Sequence, residues 1–273
     1  MKPVAFDYLR ADSADEAVAA LAQHGEEARV LAGGQSLMAI LNMRLAAPKV
    51  LVDIHRAADL SGISVRGGHV RVQAAATQAA LQRHPELDRW LPLVAQALPH
   101  VGHFQIRNRG TVCGSIAHAD PSAELPLCLA TLGGEVVLRS RRGRRTVAAQ
   151  DFFTGMLQTA RMADELVEEA RFPVTAAGER HGFIELSMRH GDFAIVALAA
   201  VVGHNGIRLG VGGVADRPQV VRWPRLAGKA LDEALNQLAW DLGAQDDIHA
   251  TAVYRRHLVR TLGRQLIERL SAP

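Results

Sequence analysis

Two glycine-containing turns hold the residues best suited to chemistry. The first is Leu31-Ala32-Gly33-Gly34-Gln35-Ser36-Leu37. Glycine has no Cβ, so the backbone here can approach a ligand closely and adopt positive φ. Successive N–H groups at such a turn, opening into a helix, form a cradle for an anion. The Ser36 hydroxyl adds one more donor. The segment also suits a plain strand-to-helix connection in which glycine answers only to geometry, and on this stretch alone both readings stand. No Lys-Ser/Thr pair follows the glycines and the GxGxxG spacing is absent, so it is neither a P-loop nor the dinucleotide fingerprint.

The second turn runs Arg107-Asn108-Arg109-Gly110-Thr111-Val112-Cys113-Gly114-Ser115. It offers small residues, hydroxyls and free backbone amides, with Asp120 and Glu124 close behind. Two separate anion cradles suit a diphosphate gripped from both sides, and acidic residues beyond them can accept from ribose or ribityl hydroxyls. Asp120 has a second reading as the N-cap of a helix entered through Pro121.

Other candidates are sparse. His100 and His103 can share a helix face, but no third or fourth metal ligand accompanies them. Cys113 and Cys128 lack metal-site spacing, and an iron–sulfur cluster needs about four thiolates, so this chain cannot hold one alone. Arg139, Arg141, Arg142, Arg144 and Arg145 flank Gly143 at an expected hairpin tip. That run reads first as a solvated turn and second as a docking patch for an acidic partner. No aromatic residues are interleaved with it, which argues against nucleic acid. No nucleophile–base triad or paired-carboxylate constellation is present.

The elements that must position these turns alternate. Ser13 to Glu16 forms a capping box for a helix ended by Gly25, and Ala28–Leu31 is a short strand running into the first turn. A helix from Ser36 is expected to stop near Pro48, followed by a strand from Val50 to Ile54. A hairpin turns at Gly67-Gly68, Thr77 caps a helix, and residues 101–121 show no long periodic run. A helix opened by Asp120-Pro121 should end at Gly133, with two strands after it. The last third holds a strand over 183–188, a hairpin around Asn205-Gly206 and helices from Leu226 onward. Boundaries are expected near residues 55 and 177, dividing the chain into 1–55, 56–177 and 178–273.

The 273 residues are 48% hydrophobic and 22% charged, which describes a foldable chain with several cores rather than a disordered one. The longest apolar run is too short to span a bilayer and the N-terminus lacks an apolar signal core, so a cytoplasmic location without membrane insertion is expected. The net charge of +3 permits anionic ligands but does not argue for nucleic acid.

AGGQSL together with IRNRGTVCGSIAHADPSAELP resembles the two FAD-binding segments of the medium subunit of molybdenum hydroxylases, the xanthine dehydrogenase and carbon monoxide dehydrogenase flavoprotein family. FDYLRADSADEAVAAL, DELVEEARFP and SMRHGDFAIVALAAVV extend the likeness over the chain in the same order. The resemblance implies an α+β fold: a two-part FAD-binding region of p-cresol methylhydroxylase type plus a C-terminal lobe of antiparallel sheet and helices. Carried over by position, Leu31 to Leu37 lie at one side of the FAD pyrophosphate, and Thr111, Gly114 and Ser115 at the other. Val101 falls near the flavin, Asp120 or Glu124 takes an acidic contact, and Phe193 matches an aromatic over the isoalloxazine ring. Ordinary packing is the other reading of Phe193. Relatives usually have two glycines where this chain has Cys113-Gly114, a departure that reads either as an inert substitution or as a redox role for Cys113. The resemblance further implies partners: a small subunit with [2Fe-2S] clusters and a large subunit with the molybdenum cofactor, between which and an external acceptor this chain relays electrons. The rival readings are a stand-alone flavoprotein acting on a small molecule or reduced nicotinamide, and a scaffold that has lost FAD.

Overall fold

The computed structural model describes residues 2–272. It begins with three parallel strands, β1 (Asp7–Arg10), β2 (Ala28–Leu31) and β3 (Val50–Asp53), in the order β1-β3-β2. Helix α1 (Ala14–His24) connects the first two. Ser13 caps it by accepting from the Glu16 N–H at 3.2 Å, and Gly25 ends it at φ 51°. The Glu16 carboxylate reaches back as expected, but to the N–H of Asp12. Helix α2 (Leu37–Asn42) is shorter than the expected run to Pro48. Arg44 enters the left-handed region at φ 57°, and the Arg44 and Leu45 N–H groups fold back onto the Leu41 and Ile40 carbonyls. That pair of bonds closes the helix without a glycine.

The middle of the chain forms an antiparallel five-stranded sheet in the order β4-β5-β10-β6-β7. Its hairpin β4 (Ile63–Arg66) and β5 (His69–Gln73) turns at Gly67 and Gly68, both at positive φ. Short helices follow: α3 (Gln78–Gln82), α4 (Leu87–Trp90), α5 (Pro92–Ala97), α6 (Phe104–Arg109), α7 (Val112–His118) and α8 (Glu124–Leu132). Then come β6 (Glu135–Ser140), β7 (Gly143–Ala148), α9 (Ala149–Phe152), the small pair β8 (Phe153–Gly155) and β9 (Gln158–Thr159), and the central strand β10 (Leu166–Pro173).

Residues 101–121, which show no long periodic run, carry α6 and α7, helices of six and seven residues that are too short to show a periodic stripe. One expectation fails in this stretch. Asp120 does not cap the next helix. Its Oδ1 accepts from Ser122 N–H at 2.8 Å, and α8 starts at Glu124 with Ala123 as N-cap. Pro126 accounts for the later start: it now lies in the first turn, where an N–H has no helical partner to lose. The other end is as expected, with Gly133 left-handed at φ 70°.

The last third is a four-stranded antiparallel sheet, β11 (Arg180–Ser187), β12 (Ala194–Gly203), β13 (Gly206–Gly212) and β14 (Gln219–Trp223), then α10 (Gly228–Asp241) and α11 (Ala252–Ser271). The tip of the β12–β13 hairpin is His204-Asn205, one residue before the expected pair, because Gly206 at φ 103° already pairs with Gly203. Every residue of β12 is buried. Ala197, Ala199 and Val201 face the middle core, while Val196, Leu198, Ala200 and Val202 face the core under α10 and α11. The period-2 alternation of a strand thus joins two cores through one sheet. A third core lies around α1 and β3 and includes Leu166 of β10 and Ala74 and Ala75, which follow β5.

Candidate functional site

All three strands of the parallel sheet run the same way, so Leu31 and Asp53, paired in register, end at one edge. The first glycine turn starts there. Open sheets bind ligands beyond the carboxyl ends of their strands, and this edge follows that rule. A cavity of about 450 Å³ lies at it, lined by Leu31, Ala32, Gly33, Gly34, Gln35, Met38, Asp53, His55 and Arg109.

Gly33 is where the two turns meet. A Cβ there would stand 2.3 Å from the Arg109 carbonyl oxygen and 2.7 Å from Gly110 Cα, both backbone atoms that cannot swing away. Gly34 follows at φ 72°. The Gln35 amide folds back to the Gly33 carbonyl at 3.0 Å. Among the described residues, the N–H groups of Gly33, Gly34, Gln35 and Ser36 donate to no protein acceptor. Ser36 makes no side-chain cap, so its hydroxyl is also free. Gly33 is buried and Gly34 half-buried, while Gln35 and Ser36 are exposed, so the four unpaired donors in succession form a cradle for an acceptor that opens to solvent at its helix end.

The second turn does not offer the free amides expected of it. The Thr111 hydroxyl caps α7 by accepting from Gly114 N–H at 2.9 Å, and the Thr111 carbonyl accepts from Ser115 N–H. The amides of Gly114 and Ser115 are therefore already engaged. Gly114 is needed for this cap, since a Cβ would come within 2.6 Å of Thr111 Oγ1. Thr111 is itself buried, and it bridges Thr77. Cys113 lies in α7 with its thiol in the core, 3.3 Å from the Val72 carbonyl oxygen. Burial pushes that thiol up to about 12, which removes the thiolate that redox chemistry requires.

The loops that carry Val101 and Phe193 pack together. Arg107 ties the Val101 and Gly102 carbonyls together at 3.0 Å each. Gly191, at φ 86°, packs on that loop: a Cβ would lie 3.0 Å from the His103 ring and 3.1 Å from the Gly102 backbone. The loop bearing Phe193 is thereby brought to Val101. The Phe193 ring is 71% exposed, so it does not serve ordinary packing. Glu124 is buried, and burial pushes its carboxyl up to about 8, with the charge of Glu185 adding to the effect. His100 Nδ1 lies 3.2 Å from Glu185, which holds the imidazole above its ordinary value. Asp120 stays at its own turn with Ser122.

Of the residues expected from sequence, Leu31 to Gln35 line the cavity. Ser36 and Leu37 open the helix behind it, and Thr111, Gly114 and Ser115 form the helix cap adjoining Gly110. Met38, Asp53, His55 and Arg109 were not expected. Asp53 accepts from the Tyr8 hydroxyl and from His55 N–H, which fixes the strand end. The signal that marks it is its place at the carboxyl end of a parallel strand beside Leu31. The expected arginine patch is largely internally paired: Arg139 and Arg144 meet Glu168, Arg145 meets Glu165, and Arg142 meets Asp164. Among the described residues no group of three His, Cys, Asp or Glu is placed to hold a metal, and no helix is long and apolar enough to cross a membrane.

Comparison with known proteins gives consistent results. Residues 4–175 match the family described as the FAD binding domain in molybdopterin dehydrogenase. The nicotine 6-hydroxylase medium subunit of Paenarthrobacter nicotinovorans is 35% identical, over 98% of both chains. The carbon monoxide dehydrogenase medium chain of Afipia carboxidovorans is 34% identical, over 100% of this chain and 99% of that one. Among solved structures, reconstituted CO dehydrogenase from Oligotropha carboxidovorans superposes with a TM-score of 0.94 at 33% identity, covering 99% of each chain.

Proposed function

Because the chain belongs to the family of FAD-binding medium subunits of molybdopterin dehydrogenases, we propose that it carries FAD and relays electrons within a molybdenum hydroxylase. A small partner subunit with [2Fe-2S] clusters delivers the electrons, and a large partner with the molybdenum cofactor hydroxylates the substrate. The observation that carries the reading is the cradle of four unpaired N–H groups, locked against the second turn at Gly33.

The residues divide the work of holding the cofactor. Gly33, Gly34, Gln35 and Ser36 donate to the diphosphate, with Ala32, Leu31 and Leu37 shaping the turn. On the other side Ser115 offers its hydroxyl, while Thr111 and Gly114 form the helix cap that holds it there. Val101 and Phe193 bracket the ring. Glu124 stays protonated at neutral pH and donates a hydrogen bond, while Asp120 offers an acceptor at the same rim. FAD when bound supplies a junction between single-electron donors and acceptors that take electron pairs. Nothing in this chain has to act as nucleophile or general base, in keeping with a site built from donors and apolar walls.

The finer architecture we propose is a two-part FAD-binding region of p-cresol methylhydroxylase type, residues 1–55 and 56–177, followed by a C-terminal lobe, 178–273. Three hydrophobic cores follow that division in outline, with Phe183, Ala194, Ala197, Ala199 and Val201 of the last segment packing into the middle core. The test is turnover by the isolated, FAD-loaded chain with small-molecule donors and reduced nicotinamide. The relay reading predicts none without the partner subunits, and full turnover by this chain alone would overturn it in favour of a stand-alone flavoprotein.

A further inference from the structure

Asp53 brings a carboxylate to the rim of the cradle, where the grip on a diphosphate has no use for it. It is half-buried, ends β3 and lines the cavity. Among the described residues its side-chain partners are the Tyr8 hydroxyl, which donates to Oδ2, and the His55 N–H, 2.8 Å from Oδ1. A carboxylate offers about four acceptor sites, so each oxygen keeps one to spare. The two bonds hold the group in one orientation. The Ile54 N–H, bound to the Leu31 carbonyl at 3.0 Å, ties this strand end to the start of the first glycine turn.

The strand order gives the spare acceptor sites a use. Leu31 and Asp53 are partners in register, so their Cα atoms lie about 5 Å apart, and Gly33 lies at most about 7 Å beyond Leu31. The carboxylate therefore stands roughly one sugar away from the diphosphate cradle. In dinucleotide folds a parallel strand, a glycine turn, a helix and a second strand place an acid about 20 residues past the glycines, where it accepts from a ribose 2′-hydroxyl. Asp53 comes 20 residues after Gly33, at the end of the strand that neighbours β2. The glycine spacing differs, yet the parallel strands produce the same juxtaposition. Val101 and Phe193, assigned above to the flavin ring, do not line this cavity, which leaves it to the other half of a dinucleotide. Arg109 lines it too, and its charge offsets repulsion between Asp53 and a diphosphate. We propose that Asp53 is the ribose site of this chain, its carboxylate accepting from the 2′-hydroxyl of the adenosine half of FAD. This rests on the FAD reading above. It makes the chain selective for a flavin that carries a ribonucleotide end.

The test is a fluorescence titration of the flavin-free full chain with FAD and with its 2′-deoxyadenosine analogue, which keeps the diphosphate, the ribityl chain and the ring. The wild type should bind the analogue roughly 10- to 150-fold more weakly, the worth of one hydrogen bond to a charged group. In Asp53→Ala the two ligands should bind alike. A carboxylate that serves only to fix the strand end would, when removed, weaken both ligands equally and leave the gap between them unchanged. The wild-type comparison involves no substitution, so it decides the matter even if Asp53→Ala folds poorly. Equal binding of the two ligands by the wild type, or an unchanged gap in folded Asp53→Ala, overturns this inference and leaves the FAD reading intact. A wild-type chain that binds neither ligand overturns the FAD reading and this inference with it.

Discussion

Replacing Gly33 by alanine is the sharpest perturbation of the cradle. The added methyl would sit 2.3 Å from the Arg109 carbonyl oxygen, 2.7 Å from Gly110 Cα and 2.9 Å from the Arg109 carbonyl carbon. Restoring an ordinary contact of roughly 3.5 Å requires the two turns to separate by about 1 Å. All three atoms are backbone, so no rotamer change relieves the clash. Overpacking of this kind costs about 1–3 kcal/mol of stability. For the cofactor, a shift of that size misaligns donors to an anion, each worth about 1.5–3 kcal/mol. Losing the equivalent of one such bond weakens FAD binding by roughly 10- to 150-fold. The assay is a fluorescence titration of the flavin-free chain with FAD, paired with thermal melting in the absence of FAD. Gly68→Ala is the control: its φ is positive, at 73°, but nothing lies within 4 Å of its Cβ. It should lose a little stability and no FAD affinity. Wild-type affinity in Gly33→Ala, at equal or reduced stability, would refute the argument that contact between the turns shapes the cradle.

Three further outcomes are expected. Thr111→Val removes the hydroxyl that caps Gly114 N–H inside the protein, which should cost about 1 kcal/mol, or roughly 2–4 °C in melting temperature. Phe193→Ala should leave melting unchanged because the ring is exposed, yet weaken FAD binding by about 1 kcal/mol, roughly fivefold, as a lost aromatic contact does. Asp247 is held at about 2, first by its hydrogen bond from Arg255, below its ordinary 3.8. Its folded value is the lower one, so its contribution is present above pH 3.8 and is lost as pH falls toward 2. Melting followed over that acid range should show this loss in the wild type and a flatter profile in Asp247→Asn.

Much of the architecture was legible because local chemistry and tertiary structure agree. Ser13, Gly25, Gly67-Gly68, Thr77 and Gly133 each sit where their cap or turn preference places them. Errors arose where a long-range fact decides. Asp120 reads as a cap, but Pro126 shifts the helix start by several residues. The left-handed residue closing α2 is Arg44, a residue type that gives no warning in sequence. In the site, the first turn was legible from its glycines, but contact between Gly33 and Arg109 joins residues far apart in the chain. Asp53 and His55 could be found only after the strand order β1-β3-β2 was known. Cys113 raised a redox question that only burial answers.

As the flavin-bearing member of a molybdenum hydroxylase, this chain should be held in a complex with its partners. Flavin, iron and molybdenum are to be quantified in whatever is retained by a tag on this chain, expressed together with its native neighbours. Bound FAD is expected, together with co-eluting iron and molybdenum carried on two other polypeptides. A chain that elutes alone with its flavin, free of both metals, would contradict membership of such a complex.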